Sequence, residues 1–155
     1  RFMYEESFRM PLIVRDPFAT KKGHQVEAMT QNIDFAPTLL DMAGVAAPAE
    51  MQGTSLLPLI DDDLGSDSWR QSLYYHYYEY PGFHSVKAHN GVKKGHYKLM
   101  HFYKYDIWEM CDLKADPLEM NNVYGQAEYE SIQLELHGEL EKLIQQYHVP
   151  QKYLH

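Results

Sequence analysis

In the second half of the chain, apolar and polar residues alternate with a period of two; near the end they take up the period of a helix. From Trp69 onward, Leu73 to Tyr80, Ser85 to Val92, Tyr97 to Tyr103 and Ile107 to Leu113 predict four strands rich in aromatic residues. Pro81-Gly82, Lys93 to His96 and Lys104 to Asp106 separate them, and connections this short predict an antiparallel meander. On the first strand the alternation puts Tyr74, His76, Tyr78 and Tyr80 on one face and Tyr75, Tyr77 and Glu79 on the other, so both faces are amphipathic. Ala127 to Tyr147 repeats apolar residues at Ile132, Leu136, Leu140, Leu143, Ile144 and Tyr147, a helix with one stripe. The stripe has to be buried, and one face of the sheet is its natural partner, giving an α+β layer. Gly138 costs this helix about 1 kcal/mol relative to alanine and is expected to permit close packing.

The first half reads differently. Met10-Pro11-Leu12-Ile13-Val14-Arg15 is an apolar run ending before Pro17, which predicts a short buried strand. Strands buried on both faces belong to parallel sheets, and too little chain precedes this one to supply neighbours. Residues 1 to about 60 are therefore expected to be the end of a larger α/β domain; the alternative is a small complete domain with an N-terminal edge strand. Asn32 to Gly44 predicts a short helix. Asp34 is expected to accept from the free amides of its first turn, Pro37 fits within that turn, and Gly44 ends the helix in a left-handed conformation. Phe35, Leu39 and Met42 fall on one face, suited to packing on a sheet. Leu56 to Ile60 predicts a single helical turn. Asp61 to Ser68 is acidic and turn-rich, so the expected organisation is residues 1–60, a linker over 61–68, and a second domain over 69–155. The adjacent carboxylates of that linker lack the alternating ligands and terminal glutamate of a calcium loop.

Composition narrows the function. With 22 acidic against 14 basic residues, the net charge of −8 argues against a nucleic-acid partner, which would demand a basic face. No apolar run approaches the length of a membrane span. A single cysteine, Cys111, can form no internal disulfide, and its strand context fits a small buried residue better than a nucleophile. The histidine spacings suit no metal motif, and no phosphate loop or nucleophile elbow is present. What stands out is the richness in tyrosine and histidine around Glu79, Tyr80, His84 and His89, at a strand end and in the loop after it. Imidazole and carboxylate groups can hydrogen-bond sugar hydroxyls, and aromatic faces can stack on sugar C–H surfaces. An aromatic sheet simply packed by its helix is the alternative for each of them.

Five ordered segments carry a resemblance. Arg1-Phe2-Met3-Tyr4-Glu5-Glu6-Ser7-Phe8-Arg9-Met10-Pro11-Leu12-Ile13-Val14 is similar to the stretch after the late active-site lysine of the formylglycine-dependent (type I) sulfatases, in the alkaline-phosphatase-like superfamily. Asn32 to Gly44 resembles their D-x-x-P-T-L-L-D-x-A-G helix, and Gly53 to Pro58 their G-x-S-L-L-P turn. Gly91 to Leu99 resembles the R-Y-K-L strand, and Trp108 to Asn122 the hairpin ending D-P-x-E-x-x-N. Within that family, Tyr74 to Pro81 with His84 and His89 most resembles bacterial N-acetylglucosamine-6-sulfatase-type enzymes.

The resemblance implies a sulfuric ester hydrolase. In the family a Cys or Ser in C-x-P-x-R or S-x-P-x-R becomes formylglycine, whose hydrate attacks sulfur, while a calcium-like ion and clustered cations neutralise the developing charge. The chain departs from this pattern: Cys111 is followed by Asp112-Leu113-Lys114-Ala115, no S-x-P-x-R occurs, and the metal-binding acidic pair is missing. No residue of the chain is assigned a catalytic or metal-binding role, calcium and formylglycine are expected only in a parent enzyme, and the chain alone is expected to be inactive. The implied organisation is the tail of the sulfatase α/β domain over 1–60, then a C-terminal subdomain over 69–155 that closes one side of the sulfate pocket. Glu79, Tyr80, His84 and His89 are the expected substrate-binding residues. The implied partners are an N-terminal catalytic domain and a sulfated carbohydrate; the implied location is periplasmic or secreted. Exposed apolar surface on residues 1–60 is expected to drive self-association. A noncatalytic glycan-binding or structural module, or a related phosphatase or phosphodiesterase, is the alternative.

Overall fold

The structure is a computed structural model, described here for residues 1–19, 21–61 and 65–154. In chain order the elements are α1 (Glu5–Phe8), α2 (Phe35–Met42), α3 (Leu57–Ile60), β1 (Ser72–Tyr77), β2 (His89–Lys94), β3 (Tyr97–Phe102), β4 (Ile107–Asp112) and α4 (Glu130–Gln146). They fall into two compact units: Arg1–Pro11 with the residues from Ser72 onward, and Leu12–Gln71. The first eleven residues thus group with the sheet, whereas the sequence put them with residues 12–60. Asp62, Asp63 and Leu64 of the expected linker lie outside the described residues.

The first unit is built on one antiparallel sheet of order β1-β2-β3-β4, the expected α+β meander. Its registers are Tyr74 opposite Val92, Val92 opposite Leu99 and Leu99 opposite Met110, so these four share a face. That face meets α4, where Leu136, Leu140 and Leu143 are buried against Val92, Leu99 and Met110, with Ile132, Ile144 and Tyr147 at the margin. The predicted stripe is the one buried. At its end α4 unwinds through His148 at φ 50°, with Val149 N–H donating to the Ile144 carbonyl at 3.1 Å, and Pro150 follows. Gly138 does not serve close packing: a Cβ there would meet open space.

The opposite face is covered by the chain's own first residues, a layer that periodicity alone did not predict. Met3 is fully buried against Met100, Phe102 and Cys111, flanked by Phe2, Tyr4, Phe8 and Tyr75. Gly91 makes room, since a Cβ there would collide with the Leu99 carbonyl and the Met3 sulfur. Beneath this layer lies Lys98, fully buried, its ammonium 2.8 Å from Glu5 Oε1 and 2.8 Å from Glu119 Oε1 and donating also to the Met3 carbonyl. Lys93 reaches the same Glu5 oxygen at 2.8 Å. Burial pushes the Glu5 carboxyl up, but Lys93 and Lys98 outweigh it and hold the group below the ordinary glutamate range. A buried ammonium survives only with such partners.

One expected connection is longer than Pro81-Gly82 suggested. β1 stops at Tyr77 and β2 starts at His89, so residues 78–88 form an irregular loop with Ser85 at φ 54°. The other two turns match the sequence reading.

The strand expected over residues 10–15, most of which belong to the second unit, does not form. Its apolar residues are exposed, Ile13 at 90%, because an extended run needs a neighbouring strand and the described residues of this unit provide none. The helix forms as expected and ends at Gly44, φ 68°. Asp34 departs from its expected role. It is fully buried, accepts from the backbone N–H of Gln31 and Thr54, and takes a two-pronged ion pair from Arg70 at 2.6 and 2.7 Å. It is the residue immediately before α2 and the last of a short 3-10 turn over Asn32–Asp34, and there its carboxylate faces inward. Phe35, Leu39 and Met42 are exposed, so the face expected to pack on a sheet is uncovered. α3 is the predicted single turn, with Leu56 and Leu59 buried beside Trp69. No helix among the described residues is long and apolar enough to cross a membrane.

Candidate functional site

The loop after β1 carries three of the four residues singled out by sequence. β1 ends in alternating tyrosines, and its twisted ladder with β2 fixes where the loop leaves the sheet. Glu79 is exposed and accepts from Arg1 Nη1 at 3.1 Å and from the Tyr77 hydroxyl at 3.1 Å. The Tyr75 hydroxyl donates to the Arg1 carbonyl at 2.6 Å, so the acid and the backbone of its arginine partner are both tied to β1 tyrosines. Gly82 tucks against the Glu79 side chain, where any Cβ would clash. Tyr80 accepts a hydrogen bond from the Tyr105 hydroxyl at 3.2 Å, and its carbonyl accepts from Lys104 Nζ at 3.3 Å. Lys87 Nζ sits 3.9 Å above the Tyr105 ring, within cation–π range. His84 is exposed, edge-on to the exposed Phe83 at 5.2 Å.

His89 belongs elsewhere. It is fully buried on the face covered by the first residues, with the rings of Phe2, Tyr75, Tyr77 and Phe102 within 6 Å. Its Nδ1 lies 2.8 Å from the Lys87 carbonyl, which makes Nδ1 the protonated nitrogen and leaves Nε2 an acceptor without a partner. Burial lowers its pKa, so the ring is neutral near pH 7. The structure therefore brings Glu79 and Tyr80 onto one loop with His84, adds Arg1, Lys87, Lys104 and Tyr105 to their surroundings, and seats His89 in the layer below.

The four added residues were not singled out by sequence. Lys104 and Tyr105 sit in the β3–β4 turn, and only the register that returns this turn beside the β1–β2 loop brings them there. A basic-aromatic pair at a turn tip was the available signal.

Other titratable groups serve packing. His76 accepts or donates at both nitrogens, to Tyr74 Oη at 2.7 Å and Tyr103 Oη at 3.3 Å, and burial followed by His89 lowers its pKa to about 4. Burial pushes the Cys111 thiol up to about 12, and the residue is 3% exposed, so it stays a protonated core group. Among the described residues no three His, Cys, Asp or Glu side chains are grouped to hold a metal ion. Glu119 and Asn122 of the D-P-x-E-x-x-N hairpin have structural tasks: Glu119 pairs with Lys98, and Asn122 accepts from Met110 N–H at 2.9 Å and donates to the Trp108 carbonyl at 3.0 Å.

A four-stranded meander with a helix on one face, an N-terminal layer on the other and a polar aromatic loop at one end describes a sulfatase-type C-terminal fold. The chain belongs to the N-sulphoglucosamine sulphohydrolase C-terminal family, whose model matches residues 1–146. It is 53% identical over 149 residues to the N-acetylglucosamine-6-O-sulfatase of Bacteroides thetaiotaomicron, a match covering 95% of this chain and 27% of that protein. The solved structure of a protein in complex with its substrate D-glucosamine-2-N,6-O-disulfate superposes with a TM-score of 0.92 at 51% identity, over 99% of this chain and 31% of the other. The phosphonate monoester hydrolase of Silicibacter pomeroyi is more distant, with a TM-score of 0.72 and 26% identity over 86% of this chain and 28% of its own. The chain thus spans about a quarter to a third of the length of these relatives.

Proposed function

We propose that the chain works as the C-terminal part of a sulfatase that hydrolyses sulfate esters on a sulfated glycan such as N-acetylglucosamine 6-sulfate. The observation that carries this reading is the match, along nearly the whole chain, to a protein whose complex holds a glucosamine disulfate. In this role residues 78–88 close one side of the sulfate pocket and select the sugar. Glu79 and His84 offer hydrogen bonds to hydroxyls, Tyr80 offers an aromatic face, and His89 holds Lys87 in place through its backbone carbonyl. Residues 12–60 act as the tail of the α/β catalytic domain, whose surface would cover the exposed face of α2; without it that face favours self-association. A periplasmic or secreted location goes with a glycan substrate.

Calcium and formylglycine belong in this reading to the parent enzyme and not to this chain, whose described residues group no three His, Cys, Asp or Glu side chains and whose one cysteine is buried and lacks the C-x-P-x-R context. No catalytic step is therefore assigned to its residues, and the chain by itself is inactive in this reading.

The test is sulfate release from N-acetylglucosamine 6-sulfate by the protein carrying this chain together with its genomic upstream sequence. Activity is expected there and absent from the chain alone, and Glu79→Ala or His84→Ala is expected to lower kcat/KM by about ten-fold, the loss of one good hydrogen bond. Turnover by the chain alone, or a parent that cleaves only phosphonate monoesters, would overturn the proposal.

A further inference from the structure

The lysines of the sheet, Lys93, Lys94 and Lys98, all reach glutamates at 2.8 Å. Lys87 and Lys104, at the loop, are different: both are exposed, and neither pairs with a carboxylate among the described residues. The acids near them are engaged elsewhere. Glu79 accepts from Arg1 at 3.1 Å, and Asp106, next to Tyr105 in the β3–β4 turn, lies 3.1 Å from His101 Nε2.

Aromatic and backbone groups hold the two ammonium groups in place instead. Lys87 Nζ stands 3.9 Å from the centre of the Tyr105 ring, and Lys104 Nζ stands 5.6 Å from that of Tyr80 while donating to the Tyr80 carbonyl at 3.3 Å. The two rings meet edge to face at 6.4 Å, and the Tyr105 hydroxyl donates to that of Tyr80 at 3.2 Å. The backbone below is anchored, because Ala88 and His89, directly after Lys87, are fully buried and His89 Nδ1 holds the Lys87 carbonyl at 2.8 Å.

A ring face attracts an ammonium group without cancelling its charge. Lys104 also spends only one of its three donors on Tyr80. Two positive charges with donors to spare thus remain on side chains whose freedom is already reduced, so a ligand that binds them costs less ordering. The chemistry that complements them is an anion with several acceptor oxygens, a carboxylate or a sulfate.

We propose that Lys87 and Lys104 bind a second acidic group of the glycan, a carboxylate or a sulfate ester on the sugar unit next to the one that is desulfated. The assignment rests on the sulfatase reading above and deepens it: the loop selects a polyanionic chain over a singly sulfated sugar. Each exposed contact is modest by itself, so the selection comes from the pair.

The test is release of the 6-sulfate by the protein carrying this chain together with its genomic upstream sequence. Three substrates are compared: N-acetylglucosamine 6-sulfate, and two disaccharides in which it is joined to a uronic acid or to a sulfated neutral sugar. The unsubstituted protein is expected to show a higher kcat/KM on a disaccharide than on the monosaccharide, and the double variant Lys87→Gln, Lys104→Gln should cut that preference by about ten-fold. Lys87→Arg with Lys104→Arg keeps both charges and should retain it. A preference for only one disaccharide supports the subsite and tells carboxylate from sulfate. An unchanged preference in the glutamine variant overturns the subsite, as does an equal loss on all three substrates, which would place the lysines at the first sulfate. Release from none of the three by the unsubstituted protein overturns the sulfatase reading, and the subsite with it.

Discussion

Two helices in this chain carry the same kind of sequence signal and meet opposite fates. In α4 the stripe Leu136, Leu140 and Leu143 is 0%, 3% and 4% exposed, pressed on the sheet. In α2 the stripe Phe35, Leu39 and Met42 is 43%, 66% and 41% exposed. Period and spacing are alike, so amphipathicity specifies a face and not what covers it. The partner of α4 is encoded within the same chain, forty residues upstream and locked by three antiparallel ladders. For α2, the described residues of its unit include no sheet at all.

Buried charges, unlike the two apolar stripes, find partners in both units. Lys98 and Asp34 are both fully buried, each with opposite charges in direct contact. Lys98 fastens the first residues of the chain to the sheet, whereas Asp34 ties the start of α2 to Arg70 and to the loop at Thr54.

The comparison can be broken most sharply at Lys98. Lys98→Ala strands Glu119 and removes one of two cations from Glu5, and is expected to destabilise the sheet unit by about 3–5 kcal/mol in urea unfolding. A loss within the ±0.5 kcal/mol of an ordinary surface change would show that the N-terminal layer is not held this way. Next is Leu136→Ala, which leaves a cavity under the fully buried stripe and should cost about 2–5 kcal/mol. Hydrogen exchange of residues 32–43 should stay unchanged in that variant, since the two units are separate cores.

A smaller effect comes from protonation. His76 has a folded-state pKa of about 4 against an ordinary value of 6.5, so the unfolded chain binds more protons between those limits. Stability from this group is fully present above pH 6.5 and is lost as the pH falls toward about 4. Glu5, held below its ordinary range, adds a loss as the pH falls below the usual glutamate value and through its lowered folded-state pKa. Urea unfolding from pH 7 to pH 4 should show this decline, and His76→Phe should flatten it by up to about one proton per molecule. The smallest effect is expected at Leu39. Leu39→Gln should change stability by less than about 0.5 kcal/mol, but should shift sedimentation toward monomer if the uncovered face of α2 drives association. An unchanged distribution would remove α2 from that role.

Much of the fold was legible because the signals were local. Alternation through Leu73, Tyr75 and Tyr77 and the stripe of α4 each lie within one element, and the short turns at Gly95 and Asp106 left only a meander. The β1–β2 loop was not legible, because Ser85 to Ala88 continues a strand-like pattern although β2 starts only at His89. The Met10 to Arg15 run misled for a related reason: an apolar run reports a need for burial, and a strand exists only when another strand accepts its backbone hydrogen bonds.

The candidate site divides along the same line. Glu79, Tyr80 and His84 were readable as polar groups in a loop at a strand end. His89 follows the same loop in sequence, yet it opens β2, where the pleat turns its ring inward toward Phe2 and Phe102. Lys104 and Tyr105 lie some twenty-five residues from Tyr80, and their approach depends on two strand registers that spacing does not encode.

By itself, then, the sequence determined the four strands of the sheet and the helices α2, α3 and α4 as element types, the buried stripe of α4, the antiparallel order and the absence of a catalytic cysteine motif, because each rests on neighbours along the chain. Only the tertiary structure decided that Arg1–Pro11 covers the second face of the sheet, that Lys98 and Glu119 form its buried ion cluster, and that Asn90 is left unpaired beside α4. Those depend on which distant groups meet, and electrostatic pairing in a low-dielectric interior is fixed by that meeting.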